Sequence, residues 1–80
     1  MKIQIYGPGC TKCRMLEANA AEAAAELGFD VEIEKVSDVQ AIAAAGVLST
    51  PGLAVDGTIR STGRLLSAHQ IRRLLQEEGT

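Results

Sequence analysis

Apolar and polar residues alternate from Lys2 to Tyr6, with Ile3 and Ile5 on one side and Lys2, Gln4 and Tyr6 on the other. That is the two-residue period of a β-strand. Gly7-Pro8-Gly9 breaks the run, and Cys10 opens a helical stretch to about Leu27. Its inward stripe, Cys13, Leu16, Ala20, Ala23, Ala24 and Leu27, recurs at helical spacing, and Gly28 suits the position just past a helix end. Alternation returns from Val31 to Val36, where Val31 and Ile33 oppose Glu32 and Glu34. Ser37-Asp38-Val39-Gln40 reads as a capping box with Ser37 as N-cap. It starts a short alanine-rich helix through about Ala45, closed by Gly46. Thr50-Pro51 precedes an apolar strand, Leu53-Ala54-Val55; Asp56-Gly57 is a hairpin turn and Thr58 to Ser61 the return strand. Beyond Gly63, Ser67-Ala68-His69-Gln70 repeats the capping-box pattern and opens a last helix to about Glu78, with Ile71, Leu74 and Leu75 inward.

The predicted order is therefore β-α-β-α-β-β-α in one domain spanning residues 1–80, an α/β fold with a four-stranded mixed sheet and three helices. The first β-α-β unit implies two parallel strands joined by a right-handed crossover, and the hairpin supplies the antiparallel part. Eighty residues are enough for one core without staples. Although 46% of the chain is apolar, twelve of those residues are alanine, and there is one Phe, one Tyr and no Trp. A thin, tight core is expected, not a cavity for a large ligand.

Charge narrows the partners. The net charge is −2, and no basic stripe stands out beyond Arg72-Arg73, so nucleic acid is not an expected partner. The start, Met1 to Ile5, is too short and polar for a signal sequence, and no apolar run approaches membrane-spanning length. The expectation is a cytoplasmic, monomeric protein with no membrane partner. In that compartment thiols are kept reduced, which favours a catalytic or metal-binding use for a lone cysteine pair.

The only two cysteines form Cys10-Thr11-Lys12-Cys13, after a strand and at the mouth of a helix. Unpaired backbone N–H groups and the positive end of the helix dipole favour a thiolate at Cys10, and Lys12 and Arg14 add positive charge. Cys10 is thus the candidate nucleophile and Lys12 a candidate tuning group. Cys13, one turn inward, is placed to displace a reduced partner from a mixed disulfide. The plain alternative is a pair of inert, buried small hydrophobes. The rival from another class is a soft-metal carrier, because two thiolates suit copper(I) or zinc. Such small domains run β-α-β-β-α-β and carry Met two residues before the first Cys, where this chain has Pro8. A closed zinc site needs four ligands, and one chain offers two Cys and His69. No metal or other cofactor is expected. Gly7-x-Gly9 lacks the third glycine of a dinucleotide fingerprint, which argues against a phosphate site.

Thr50-Pro51 falls just before a strand expected beside the first, near the Cys10 loop. Either isomer is open to an X-Pro bond; a cis bond there would turn the Thr50 backbone toward an extended substrate.

With these residues in view, the chain resembles, nearly end to end, the small thioredoxin-like redox-active disulfide proteins, compact relatives of thioredoxins and glutaredoxins. The likeness rests on Gly7-Pro8-Gly9-Cys10-Thr11-Lys12-Cys13, on Ser49-Thr50-Pro51 with Leu53-Ala54-Val55-Asp56-Gly57, and on Gly63. It implies a trimmed thioredoxin fold and a thiol–disulfide oxidoreductase with Cys10 attacking, Cys13 resolving and Pro51 in cis. It also implies a disulfide-containing protein substrate, met by Thr50, Pro51 and Gly63, and an upstream reductase. Size and Gly63 resemble glutaredoxins, which brings in glutathione as a further candidate partner, although the basic residue before their motif and their Pro-Tyr pair are missing. The buried acid of thioredoxins is replaced by Gln4, and Gly52 leaves no side chain beside the proline to grip a partner.

Overall fold

In the computed structural model, which describes residues 1–78, the elements are β1 (Lys2–Tyr6), α1 (Thr11–Leu27), β2 (Glu32–Val36), α2 (Val39–Ala44), β3 (Gly52–Val55), β4 (Thr58–Thr62) and α3 (Ala68–Glu78). The strands form one mixed sheet in the order β2-β1-β3-β4, with β1 parallel to β2 and antiparallel to β3. This is a thioredoxin fold.

The sheet divides the apolar residues into two cores. Ile3 and Ile5 of β1 and Leu53 and Val55 of β3 meet Leu16, Ala20 and Ala23 of α1 and Ile71 and Leu75 of α3. Alanines at the contact let α1 lie close against the strands. On the other face Tyr6 and Ala54 pack against Ile42 and Val47. Because β3 lies between two strands and is covered on both faces, all four of its residues are buried. Asp56 sits at φ +49° and Gly57 at φ +87° in the hairpin turn. Asp56 also closes the hairpin onto β1, its Oδ1 accepting from the Lys2 N–H and its own N–H donating to the Lys2 carbonyl, both at 2.8 Å.

The two expected capping boxes end differently. At α3 the box is complete: the Gln70 N–H donates to Ser67 Oγ at 3.1 Å, and the Ser67 N–H donates to Gln70 Oε1 at 2.9 Å. At α2 the N-cap is Asp38, not Ser37, and its Oδ1 accepts from the Gln40 N–H at 3.2 Å. β2 runs through Val36, whose carbonyl accepts from the Gly7 N–H, so Ser37 is needed to leave the strand and the cap moves on by one. Among the described residues no helix is long and apolar enough to cross a membrane.

Candidate active site

β1 ends at Tyr6, and Gly7-Pro8-Gly9 carries the chain to Cys10, the N-cap of α1. Gly9 adopts φ +89°, a region open to glycine and costly for a side chain. Cys10 is extended, and its sulfur accepts from the Cys13 N–H at 3.4 Å, so the thiol itself caps the helix. One turn on, Cys13 points inward with Leu16 and is 5% exposed, whereas Cys10 is exposed. The two sulfurs are 2.6 Å apart.

Electrostatics separate the pair. The Cys13 thiol donating to it, followed by the N–H groups of Cys13 and Lys12, holds the Cys10 thiol below the usual range. Lys12 contributes here through its backbone N–H. Burial pushes Cys13 up, and its hydrogen bond to Cys10 raises it further. Cys10 is therefore the first of the two to ionise, the accessible sulfur ahead of the shielded one.

Gly7, which in the sequence reads only as a strand breaker, makes room for the inner sulfur. A Cβ there would overlap Cys13 Sγ and lie 3.3 Å from Cys13 Cβ and 3.9 Å from Thr50 Cβ. Gly7→Ala is expected to displace the Cys13 sulfur while leaving Cys10 open. Closure of the Cys10–Cys13 disulfide from a preformed mixed disulfide then slows on the order of tenfold to a hundredfold in quenched-flow assays, with Cys10 alkylation little changed. An unaltered closure rate would mean that the sulfur has room to spare.

The antiparallel register that sets Tyr6 opposite Gly52 brings the 49–51 segment beside the Gly7 loop. The Thr50–Pro51 bond is cis; Pro51 is buried and Thr50 exposed. The Gly63 N–H donates to the Pro51 carbonyl at 2.9 Å, and Gly63 has φ +70° with no space for a Cβ, which would fall 2.8 Å from Ser49 Cβ. Gly63 thus braces the proline loop. Gly52 is not a gap on the partner-facing surface: it is buried, and a Cβ there would fall 2.8 Å from Val47 Cγ1. Packing of β3 on Val47 accounts for that glycine.

Gln4 is half-buried, donating to Glu34 Oε1 at 2.8 Å and accepting from the Tyr6 hydroxyl at 3.0 Å. No carboxylate residue is buried among the described residues. An open cleft of about 300 Å³ reaches Cys13 instead, lined also by Gly7, Pro8, Arg14, Lys35 and Ser37. His69 lies on α3, its Nδ1 3.0 Å from the Arg72 guanidinium. Among the described residues no three His, Cys, Asp or Glu side chains gather as metal ligands.

A family model of the thioredoxin domain matches residues 1–76. A thioredoxin of Methanothermobacter thermautotrophicus is 52% identical over 75 residues, covering 94% of this chain and 97% of that one. A thioredoxin of Methanocaldococcus jannaschii is 43% identical over 74 residues, covering 92% and 85%. Among solved structures, thioredoxin 1 of Thermosipho africanus TCF52B matches with a TM-score of 0.59 at 19% identity over the whole of both chains. A malarial protein matches with a TM-score of 0.69 at 16% identity over 95% and 93%. At these identities the two structures speak for the fold alone.

Proposed function

The chain belongs to the thioredoxin family of thiol–disulfide oxidoreductases, and from that premise we propose that Cys10 attacks and Cys13 resolves, with protein disulfides as substrates. The Cys10 thiolate attacks one sulfur of the substrate disulfide, forming a mixed disulfide and releasing the other sulfur as a thiolate. Cys13 gives up its proton to water in the adjoining cleft and attacks the Cys10 sulfur. The Cys10–Cys13 bond forms, the second substrate thiolate leaves, and two electrons have passed to the substrate. An upstream reductase dithiol returns them by the same exchange in reverse. The observation that carries this reading is the opposed pair of thiols, Cys10 exposed and lowered, Cys13 buried and raised, 2.6 Å apart.

Thr50, Pro51 and Gly63 present backbone to the partner beside the thiols, and Lys12 tunes the thiolate. Glutathione is the lesser partner, because the basic residue before the glutaredoxin motif and the Pro-Tyr pair are missing from this chain. Residues 1–80 act as one monomeric domain in the cytoplasm. Titration of the purified dithiol in defined redox buffers tests the whole. A stable two-electron couple assigned by mass to Cys10 and Cys13 is expected. Tight stoichiometric copper(I) or zinc, with no accessible disulfide, would instead make the pair a metal carrier.

A further inference from the structure

The thiol chemistry leaves a basic face of the protein unused. β4 is an edge strand, and between it and α3 runs an open groove of about 580 Å³ whose lining includes Arg60, Ser61, Arg64, Arg73 and Leu74, with one carboxylate, Glu77. Four of the eight Lys and Arg residues, Arg60, Arg64, Arg72 and Arg73, lie in this β4–α3 segment of a chain whose net charge is −2. Arg60 is already engaged, pairing with Glu77 at 2.8 Å and with Glu78. Arg64 and Arg73 have no acidic side chain within ion-pair distance among the described residues. The Ser61 hydroxyl in the groove wall is shielded from solvent and has no hydrogen-bond partner among the described residues. The groove also meets the active-site loop, since Gly63, bonded to Pro51, stands between Thr62 and Arg64.

We propose that this groove receives an extended acidic segment of the protein substrate, its carboxylates on Arg64 and Arg73, while the substrate disulfide meets Cys10. The inference rests on the oxidoreductase reading for its purpose, though not for its test. Eight of the ten Asp and Glu residues lie outside the β4–α3 segment, with only four of the eight Lys and Arg, so an acidic partner is favoured on this face over the acidic remainder of the chain. The outer edge of β4 offers backbone N–H and C=O groups that an extended segment can pair with, and Leu74 supplies an apolar contact. Two guanidinium groups reading carboxylates would make the contact strong at low salt and weak at high salt.

Binding is measured by fluorescence anisotropy on the Cys10→Ser, Cys13→Ser double variant, which cannot exchange disulfides. The probe is a fluorescein-labelled peptide alternating glutamate and glycine, with its glutamine counterpart as control. The acidic peptide is expected to bind more tightly than the glutamine peptide, to weaken as salt rises, and to shift backbone amide resonances of residues 59–74. Adding Arg64→Glu and Arg73→Glu is expected to cost at least about tenfold in affinity. Arg72→Glu, on the same helix but outside the groove, leaves binding in place. Should the charge-reversed protein not fold, Arg64→Gln with Arg73→Gln gives the same comparison. Equal affinity for the two peptides, undiminished binding without Arg64 and Arg73, or an equal loss in Arg72→Glu would each overturn the proposal. Because the readout needs no thiol, an inactive wild type would sink the enzymatic reading without touching this result.

Discussion

Cys10→Ser is expected to lower disulfide reduction by more than about 10³-fold, while Cys13→Ser traps a mixed disulfide through Cys10. The two variants differ because the two sulfurs do. A serine hydroxyl at position 10 does not ionise near neutrality, so the exposed attacking group is lost, and the shielded thiol of Cys13 has neither access nor charge to replace it. In Cys13→Ser the attacking sulfur remains at the helix N-cap; a serine hydroxyl takes the place of the Cys13 thiol, its largest lowering donor, and the backbone N–H groups stay in place. The first exchange proceeds, and no neighbouring thiol remains to release the partner. Non-reducing gels with mass spectrometry of the trapped species check this directly. Equal trapping by both variants would show that the roles are not divided in this way.

Leu16→Ala is expected to destabilise the protein by about 2–5 kcal/mol, the usual range for a fully buried leucine. Leu16 has no exposed surface and lies one turn beyond Cys13, where it holds the front of α1 against Ile3 and Ile5. The neighbouring α1 contacts are alanines, which leave little flexible side chain to fill the void. A loss of about 3 kcal/mol lowers the melting temperature of a domain this small by roughly 12–24 °C and removes a large share of its roughly 4–12 kcal/mol of stability. Leu48→Ala provides the contrast: Leu48 is 94% exposed, and its loss should register within about 0.5 kcal/mol. Thermal melts followed by circular dichroism, reading both variants side by side, test the pair. A small shift for Leu16→Ala would mean that α1 is held chiefly by its alanines.

Local patterns were legible where one interaction decided the outcome. Alternation placed Ile3 and Ile5 on the main core, helical spacing placed Leu16, Ala20 and Ala23, and the Ser67–Gln70 box formed as its residues suggest. The cysteine pair was readable because both members share one helical turn. Where a residue answers to a distant part of the chain, its neighbours in sequence carry no signal. Gly7 reads as a strand breaker, and its fit to Cys13 Sγ emerges only when the helix folds back over the loop. Gly52 reads as freedom beside a proline, yet Val47 presses on it from the connection before β3. The α2 cap moved from Ser37 to Asp38 because β1 extended β2 by pairing, a constraint that no local motif encodes. Thr50 and Pro51 come beside the Gly7 loop through the register of β1 and β3, which no local motif around the proline encodes.

Everything in the mechanism depends on Cys10 being the lowered thiol and Cys13 the raised one. A thiol held below its usual range is present as thiolate above that lowered value and loses reactivity only as the pH falls through it. The pH dependence of iodoacetamide alkylation of the reduced protein, with the modified cysteine identified by mass spectrometry, reads this directly. Modification of Cys10 alone, with a midpoint below the value of about 8.5 of free cysteine, is the predicted result. A midpoint at that of free cysteine, or labelling of Cys13 first, would contradict the account.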